Sequence, residues 1–276
     1  MPKVTINGVG INYESNGEGF PLVLCYCRGG NATMWTPQVE AFSENYRFIR
    51  FEPRGHGKSD SPEDPSAYGL DVSVEDLLGL FGHLGIEKAY VGGLSMGGGI
   101  TTRFTLLHPD RVAGLMVIDS GSASGHAHSE EIRENTARVR ELAFTEGMEA
   151  VARHSVREVD SFALRAARGP EEAEGMVEMI KALTPHGYVY SLEALDQAPA
   201  FDDRLCEITA PTLCIAGEND PALEDVKFIH SQIEGSELVV VPDAGHFTNL
   251  DQTEVFNGEV LAFLAKVDAR RAAAVA

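Results

Sequence analysis

The chain is short of positive charge: 22 Lys and Arg stand against 42 Asp and Glu, a formal net charge of −20 over 276 residues. That balance repels phosphate backbones and anionic lipid headgroups, which argues against nucleic acid and charged membrane surfaces as partners. The charge itself reads as a solvated acidic surface and identifies no ligand. Cysteine is also sparse, at four residues. Cys25 and Cys214 lie in apolar runs, and a chain of this size buries enough core to do without disulfides, so free thiols are expected. Cys25 and Cys27 form a Cys-x-Cys, but no neighbouring His/Cys set completes a zinc site, and no metal is expected. Long apolar runs are missing too. Nothing approaches the ~20 residues that cross a bilayer, and residues 1–12 carry no apolar core behind a basic head, so the expectation is a cytoplasmic protein.

What is present is the pattern of a parallel α/β protein. Short β-like runs at residues 3–6 and 11–14 flank Asn7-Gly8, a two-residue turn signal, and predict an opening hairpin. Continuous apolar runs follow at 22–26, 48–51, 89–91, 115–118, 212–216 and 238–241, as expected of strands buried on both faces. Helical stretches at 74–84, 96–107, 223–232 and 253–265 are long enough to cross over between neighbouring strands. The tail after Ala265 reads as frayed. Between residues 120 and 209 no strand is evident, only amphipathic stretches at 129–144, 147–154 and 170–183. This predicts a core domain over 1–121 and 206–276, with a helical cap inserted at 122–205. Met148, Met176, Met179, Phe144 and Phe162 could line a pocket there, although methionines at helical spacing more often pack.

The sharpest local signal is Gly93-Leu94-Ser95-Met96-Gly97, directly after the strand at 89–91 and directly before the helix at 96–107. A serine in a strained strand-to-helix turn needs small neighbours, and glycine supplies them. Three further segments agree in order: Phe51-Glu52-Pro53-Arg54-Gly55-His56-Gly57-Lys58-Ser59, Gly217-Glu218-Asn219-Asp220 and Ala244-Gly245-His246-Phe247. With these motifs nearly the whole chain resembles the α/β-hydrolase superfamily, in its esterase and enol-lactonase branch. The resemblance implies a mostly parallel sheet of about eight strands with helices on both faces. It also implies Ser95 as nucleophile, His246 as general base and Asp220 as the acid that orients the ring. Asp119, at the end of the strand at 115–118, is a competing acid, or else caps its own loop 120–122. His126 and His128, in a Gly/Ser/Ala-rich loop, read as solvated. His56 and Arg54 read as parts of a turn, Arg54 holding the loop that follows the strand at 48–51.

The oxyanion of acyl transfer needs two donors, which the resemblance assigns to the Met96 and Arg28 N–H groups. Where relatives commonly carry His-Gly, this chain reads Tyr26-Cys27-Arg28-Gly29-Gly30, and Cys27 would be strained if its backbone needed positive φ. The expected reaction is cleavage of a small carboxylic ester or lactone through an acyl-enzyme, without a cofactor. Alternatives on the same fold are carbon–carbon bond hydrolysis, a cofactor-free oxygenase or lyase, and a ligand receptor with vestigial turnover. Homo-oligomerisation is left open.

Overall fold

A computed structural model describes residues 3–121, 130–198 and 200–275. Eight strands form one sheet: β1 (Lys3–Ile6), β2 (Val9–Asn16), β3 (Phe20–Cys25), β4 (Tyr46–Phe51), β5 (Ala89–Leu94), β6 (Val112–Ile118), β7 (Thr212–Gly217) and β8 (Glu237–Val241). Their order is β1-β2-β4-β3-β5-β6-β7-β8, with the β1–β2 and β2–β4 pairings antiparallel and the other five parallel. Asn7 and Gly8 close the β1–β2 hairpin with φ of 49° and 79°, the left-handed pair that a two-residue turn requires.

The helices are α1 (Val39–Ser43), α2 (Leu70–Leu84), α3 (Met96–Leu107), α4 (Glu130–Thr145), α5 (Met148–Glu158), α6 (Asp160–Ala166), α7 (Pro170–Lys181), α8 (Pro185–Asp196), α9 (Leu223–Gln232), α10 (Thr248–Asp251) and α11 (Thr253–Val275). Alternation along the strands divides the core between the two faces of the sheet. Leu22, Leu24, Phe48, Tyr90, Met116 and Ile118 pack with Trp35, Phe42 and Phe256. Val23, Ile49, Val91, Leu115 and Val117 pack with α2, α3 and α9 through Leu77, Phe81, Ile100, Phe104 and Ile229.

Two sequence expectations are corrected. Residues after Ala265 are helical, because α11 runs on to Val275. Val267 is buried there, the Asp268 carboxylate accepts from the Tyr46 and Tyr90 hydroxyls at 2.9 and 2.5 Å, and Arg271 lies 3.5 Å from the Phe20 ring centroid. Among the described residues the segment between β6 and β7 holds α6 and α8 in addition to α4, α5 and α7, which match the amphipathic stretches at 129–144, 147–154 and 170–183. Helix α6 is only seven residues long, and α8 hides behind Gly187 and Tyr188, weak helix formers. The start of α8 is legible in hindsight: Thr184 accepts the Gly187 N–H at 3.1 Å and Pro185 takes the first turn.

The turn after β4 is locked by buried charge. Arg54 makes two 2.7 Å hydrogen bonds to Asp76 and a third to the Ala67 carbonyl, as expected of a residue that holds this loop. His56 is buried, with Nδ1 3.2 Å from the Arg54 carbonyl and Nε2 without a partner. Burial lowers its pKa from 6.5 to about 4; the nearby Arg28 charge adds to this and the Arg54 carbonyl opposes it. The folded protein therefore binds this proton less readily than the unfolded chain, so stability rises with pH between those values and is complete above them. Between pH 7 and pH 4 the wild type should lose about 3 kcal/mol of unfolding free energy through this ring. Urea melts at the two pH values should show that share of the loss absent from His56→Gln.

Candidate active site

Strand β5 ends in a turn whose central residue, Ser95, has φ 56° and ψ −117°, a conformation that costs a non-glycine residue about 1–3 kcal/mol. The surroundings hold it there. The Ser95 N–H donates to the Ile118 carbonyl at 2.9 Å, and the Ser95 carbonyl accepts from Ser120 Oγ at 2.8 Å and from the Gly99 N–H at 3.2 Å. A Cβ on Gly93 would fall 2.4 Å from the Gly97 carbonyl carbon. One on Gly97 would fall 2.7 Å from the carbonyl oxygens of Cys25 and Tyr26. These contacts press the start of α3 against the end of β3.

Strands β7 and β8 end side by side, and the loops beyond them are sewn together. The Glu218 N–H reaches the Val241 carbonyl and the Asn219 N–H the Ala244 carbonyl, each at 2.9 Å. This brings Asp220 to His246, whose Nδ1 donates to Asp220 Oδ1 at 2.8 Å. Burial by itself would raise the Asp220 pKa. The His246 charge and hydrogen bond, with the Ala222 N–H, outweigh burial and hold the carboxyl below its usual range. Ser95 and His246 line one cavity of about 280 Å³ with Gly121, Val159, Asp160, Ser161, Pro221, Ala222 and Asp225. No hydrogen bond joins the Ser95 hydroxyl to the ring, a looseness common in unliganded sites.

The loop after β3 takes its residues without strain. Gly29 adopts φ 80°, whereas Cys27 is absent from the left-handed region. The Cys27 thiol sits 3.4 Å from the Met34 sulfur, and burial pushes its pKa up to about 12, so it is an inert packing group. The Arg28 guanidinium lies 5.8 Å from the Tyr188 ring centroid in α8. A Cβ at Gly29 would meet Tyr188, Ile180 and Phe162 at 3.4–3.5 Å, so the inserted helices close on this loop directly.

Other expectations fare differently. Asp119 does not cap its own loop: Oδ1 accepts from the Gly217 N–H at 3.0 Å and Thr248 Oγ1 at 2.7 Å, and Oδ2 accepts from the Thr248 N–H at 3.0 Å. Met148, Met176 and Met179 are buried among other apolar side chains, which favours packing over a pocket. Phe144 is exposed beside His186 and Tyr190, while Phe162 is buried against Phe247. His126 and His128 lie outside the described residues.

Sequence reading missed how α6 and the turn after it are fastened to the loop that carries His246. Asp251 bonds the Gly245 N–H at 2.8 Å while pairing with Arg165 of α6 at 2.5 Å and with Arg168 at 3.1 Å. Arg168 also donates to the Asp243 carbonyl. No local signal could reveal a pair 86 residues apart in sequence. The carboxylate that carries these cations is thus also bonded to the backbone next to His246.

A family model for the alpha/beta hydrolase fold matches residues 21–253. The chain is 29% identical to 3-oxoadipate enol-lactonase 2 of Acinetobacter baylyi, over 95% of this chain and 96% of that protein. It is 32% identical to a 2-hydroxy-6-oxononadienedioate/2-hydroxy-6-oxononatrienedioate hydrolase of Escherichia coli, over 93% and 91%. Among solved structures, a thermophilic esterase from Thermogutta terrifontis matches with a TM-score of 0.85 and 30% identity, over 96% of this chain and 98% of that one.

The Asp251 junction should matter for stability. Its side chain is 1% exposed and Arg165 is 18% exposed, so removing the carboxylate leaves a desolvated cation unpaired. Asp251→Ala is expected to cost about 3 kcal/mol in urea unfolding. Glu141→Gln, which breaks the exposed Arg138–Glu141 pair, should change stability by less than about 0.5 kcal/mol.

Proposed function

The chain belongs to the α/β-hydrolase fold family and is a hydrolase, and from that premise we propose that it cleaves a carboxylic ester or lactone through an acyl-enzyme on Ser95. The observation that carries this reading is the pairing of a strained serine with a carboxylate-bound histidine on the wall of one cavity. With Nδ1 donating to Asp220, the His246 ring has Nε2 left to accept the serine proton during attack and return it to the leaving group. The Met96 and Arg28 N–H groups supply the oxyanion donors, a reading supported by the close approach of Gly97 in α3 to the Cys25 and Tyr26 carbonyls ahead of Arg28. Water activated by the same ring then releases the acyl group.

The helices α4 to α8 act as a cap over this site. Support comes from Val159, Asp160 and Ser161 in the cavity wall and from Tyr188 beside Arg28. A cap of this kind chooses the substrate, and the lactonase and esterase relatives support a reading that includes both ester and lactone. The 32% identical relative from Escherichia coli keeps carbon–carbon bond hydrolysis as a second reading, for the same serine and histidine serve either bond.

A screen of p-nitrophenyl acetate and butyrate, five- and six-membered lactones, and a 2-hydroxy-6-oxo-dienoate should find turnover on the esters or lactones. Ser95→Ala should lower kcat by at least about 10⁴-fold while leaving the circular dichroism spectrum unchanged. Hydrolysis that survives in Ser95→Ala would refute the mechanism, and turnover confined to the dienoate would select the second reading.

A further inference from the structure

Asp119 is more deeply buried than any role so far requires. It is fully enclosed at the end of β6, with φ 44°, a strained position for a residue that merely filled space. Its carboxyl spans the two loops that carry the proposed acid and base. One oxygen takes the N–H of Gly217, the last residue of β7 and three before Asp220. Both oxygens bind Thr248, two residues after His246, through its hydroxyl and its N–H. Ser120, the next residue, holds the Ser95 carbonyl. One strand end therefore touches the loop of each member of the triad.

The Asp119 and Asp220 carboxyls are both buried beyond the ends of the neighbouring strands β6 and β7. Asp220 Oδ1 already accepts from His246 Nδ1 and the Ala222 N–H, while Oδ2 is buried and has no hydrogen-bond partner among the described residues. Two ionised carboxylates cannot sit together away from water, so one proton belongs between them. Burial, then the Asp220 charge, keep that proton on Asp119, whose pKa lies well above the usual range.

We propose that Asp119 is a positioning residue: its carboxyl fastens the Asp220 loop to the His246 loop and donates a hydrogen bond to Asp220 Oδ2. The valences close. The Asp119 carbonyl oxygen takes the Gly217 N–H and the Thr248 hydroxyl; its hydroxyl oxygen takes the Thr248 N–H and gives its proton to Asp220. Asp220 stays ionised, with both oxygens occupied and its plane aligned with the imidazole. Asp119 touches neither substrate nor the reacting atoms, so its effect falls on kcat rather than on KM.

The inference rests on the reading of Ser95, Asp220 and His246 as a triad, and the test separates the two. Asp119→Ala and Asp119→Asn are compared with wild type in p-nitrophenyl butyrate hydrolysis and in the low-field proton NMR resonance of His246 Nδ1–H. Asp119→Ala should lower kcat about 10²-fold, leave KM within about two-fold, and abolish or shift the resonance. Asparagine keeps the carbonyl acceptor and offers an N–H to Asp220 but cannot accept the Thr248 N–H, so it should retain the resonance and recover only part of the kcat lost in Asp119→Ala. If Asp119→Ala does not fold, Thr248→Val removes one of the three donors and should still lower kcat a few-fold at constant KM. Wild-type kcat and resonance in a folded Asp119→Ala or in Thr248→Val would overturn the positioning role, and equal losses in Ala and Asn would overturn the donated proton. A wild type without ester turnover, but with the resonance responding as described, would count against the hydrolase reading and for the positioning role.

Discussion

The arrangement at the C-terminal edge of the sheet depends on how closely residues 93–98 are pressed between their neighbours. Gly93 lies against Gly97, Gly97 against the last carbonyls of the β3 segment, and Gly98 against Ser120, each at a separation that admits no Cβ. That contact forces Ser95 out of regular geometry and aims its side chain into the cavity. It also presses the first turn of α3 against the Cys25 and Tyr26 carbonyls that lead into the loop carrying Arg28. The strain is sustained by the Ser95 N–H donating to the Ile118 carbonyl and by Ser120 Oγ donating to the Ser95 carbonyl, and hence by β6 and the residues just after it.

The same edge shows how buried carboxylates organise loops that the sheet alone would leave loose. Asp119 joins the ends of β6 and β7 to Thr248, Asp220 orients His246, and Asp251 ties the Gly245 backbone to two arginines of the insertion. Asp119 and Asp251 have donors on both oxygens and Asp220 has two on Oδ1, as expected of charge or polarity kept away from water. The net charge of −20 belongs mainly to the surface, whereas these few acids act through individual bonds.

Much of this was legible in the sequence, for identifiable reasons. The eight strands and the limits of α3 and α9 follow from apolar runs and from the Gly-x-Ser-x-Gly context, which are local signals. The hairpin at Asn7-Gly8 is local as well. Legibility ended where partners are distant. Asp119 could be seen as a carboxylate at a strand end, but its ligands Gly217 and Thr248 lie 98 and 129 residues away. The last turns of α11 depend on Tyr46 and Tyr90, and the junction at Asp251 depends on α6, a helix too short to announce itself by periodicity. Cys27 was flagged as a source of strain; the loop instead places its left-handed residue at Gly29.

Reaction of wild type and Ser95→Ala with a fluorophosphonate, followed by intact mass and peptide mapping, tests the activation of Ser95 most directly, because it needs no knowledge of the natural substrate. The account predicts a single adduct on Ser95 that is absent from the variant. A wild type that stays unmodified, or an adduct that persists in Ser95→Ala, would contradict it.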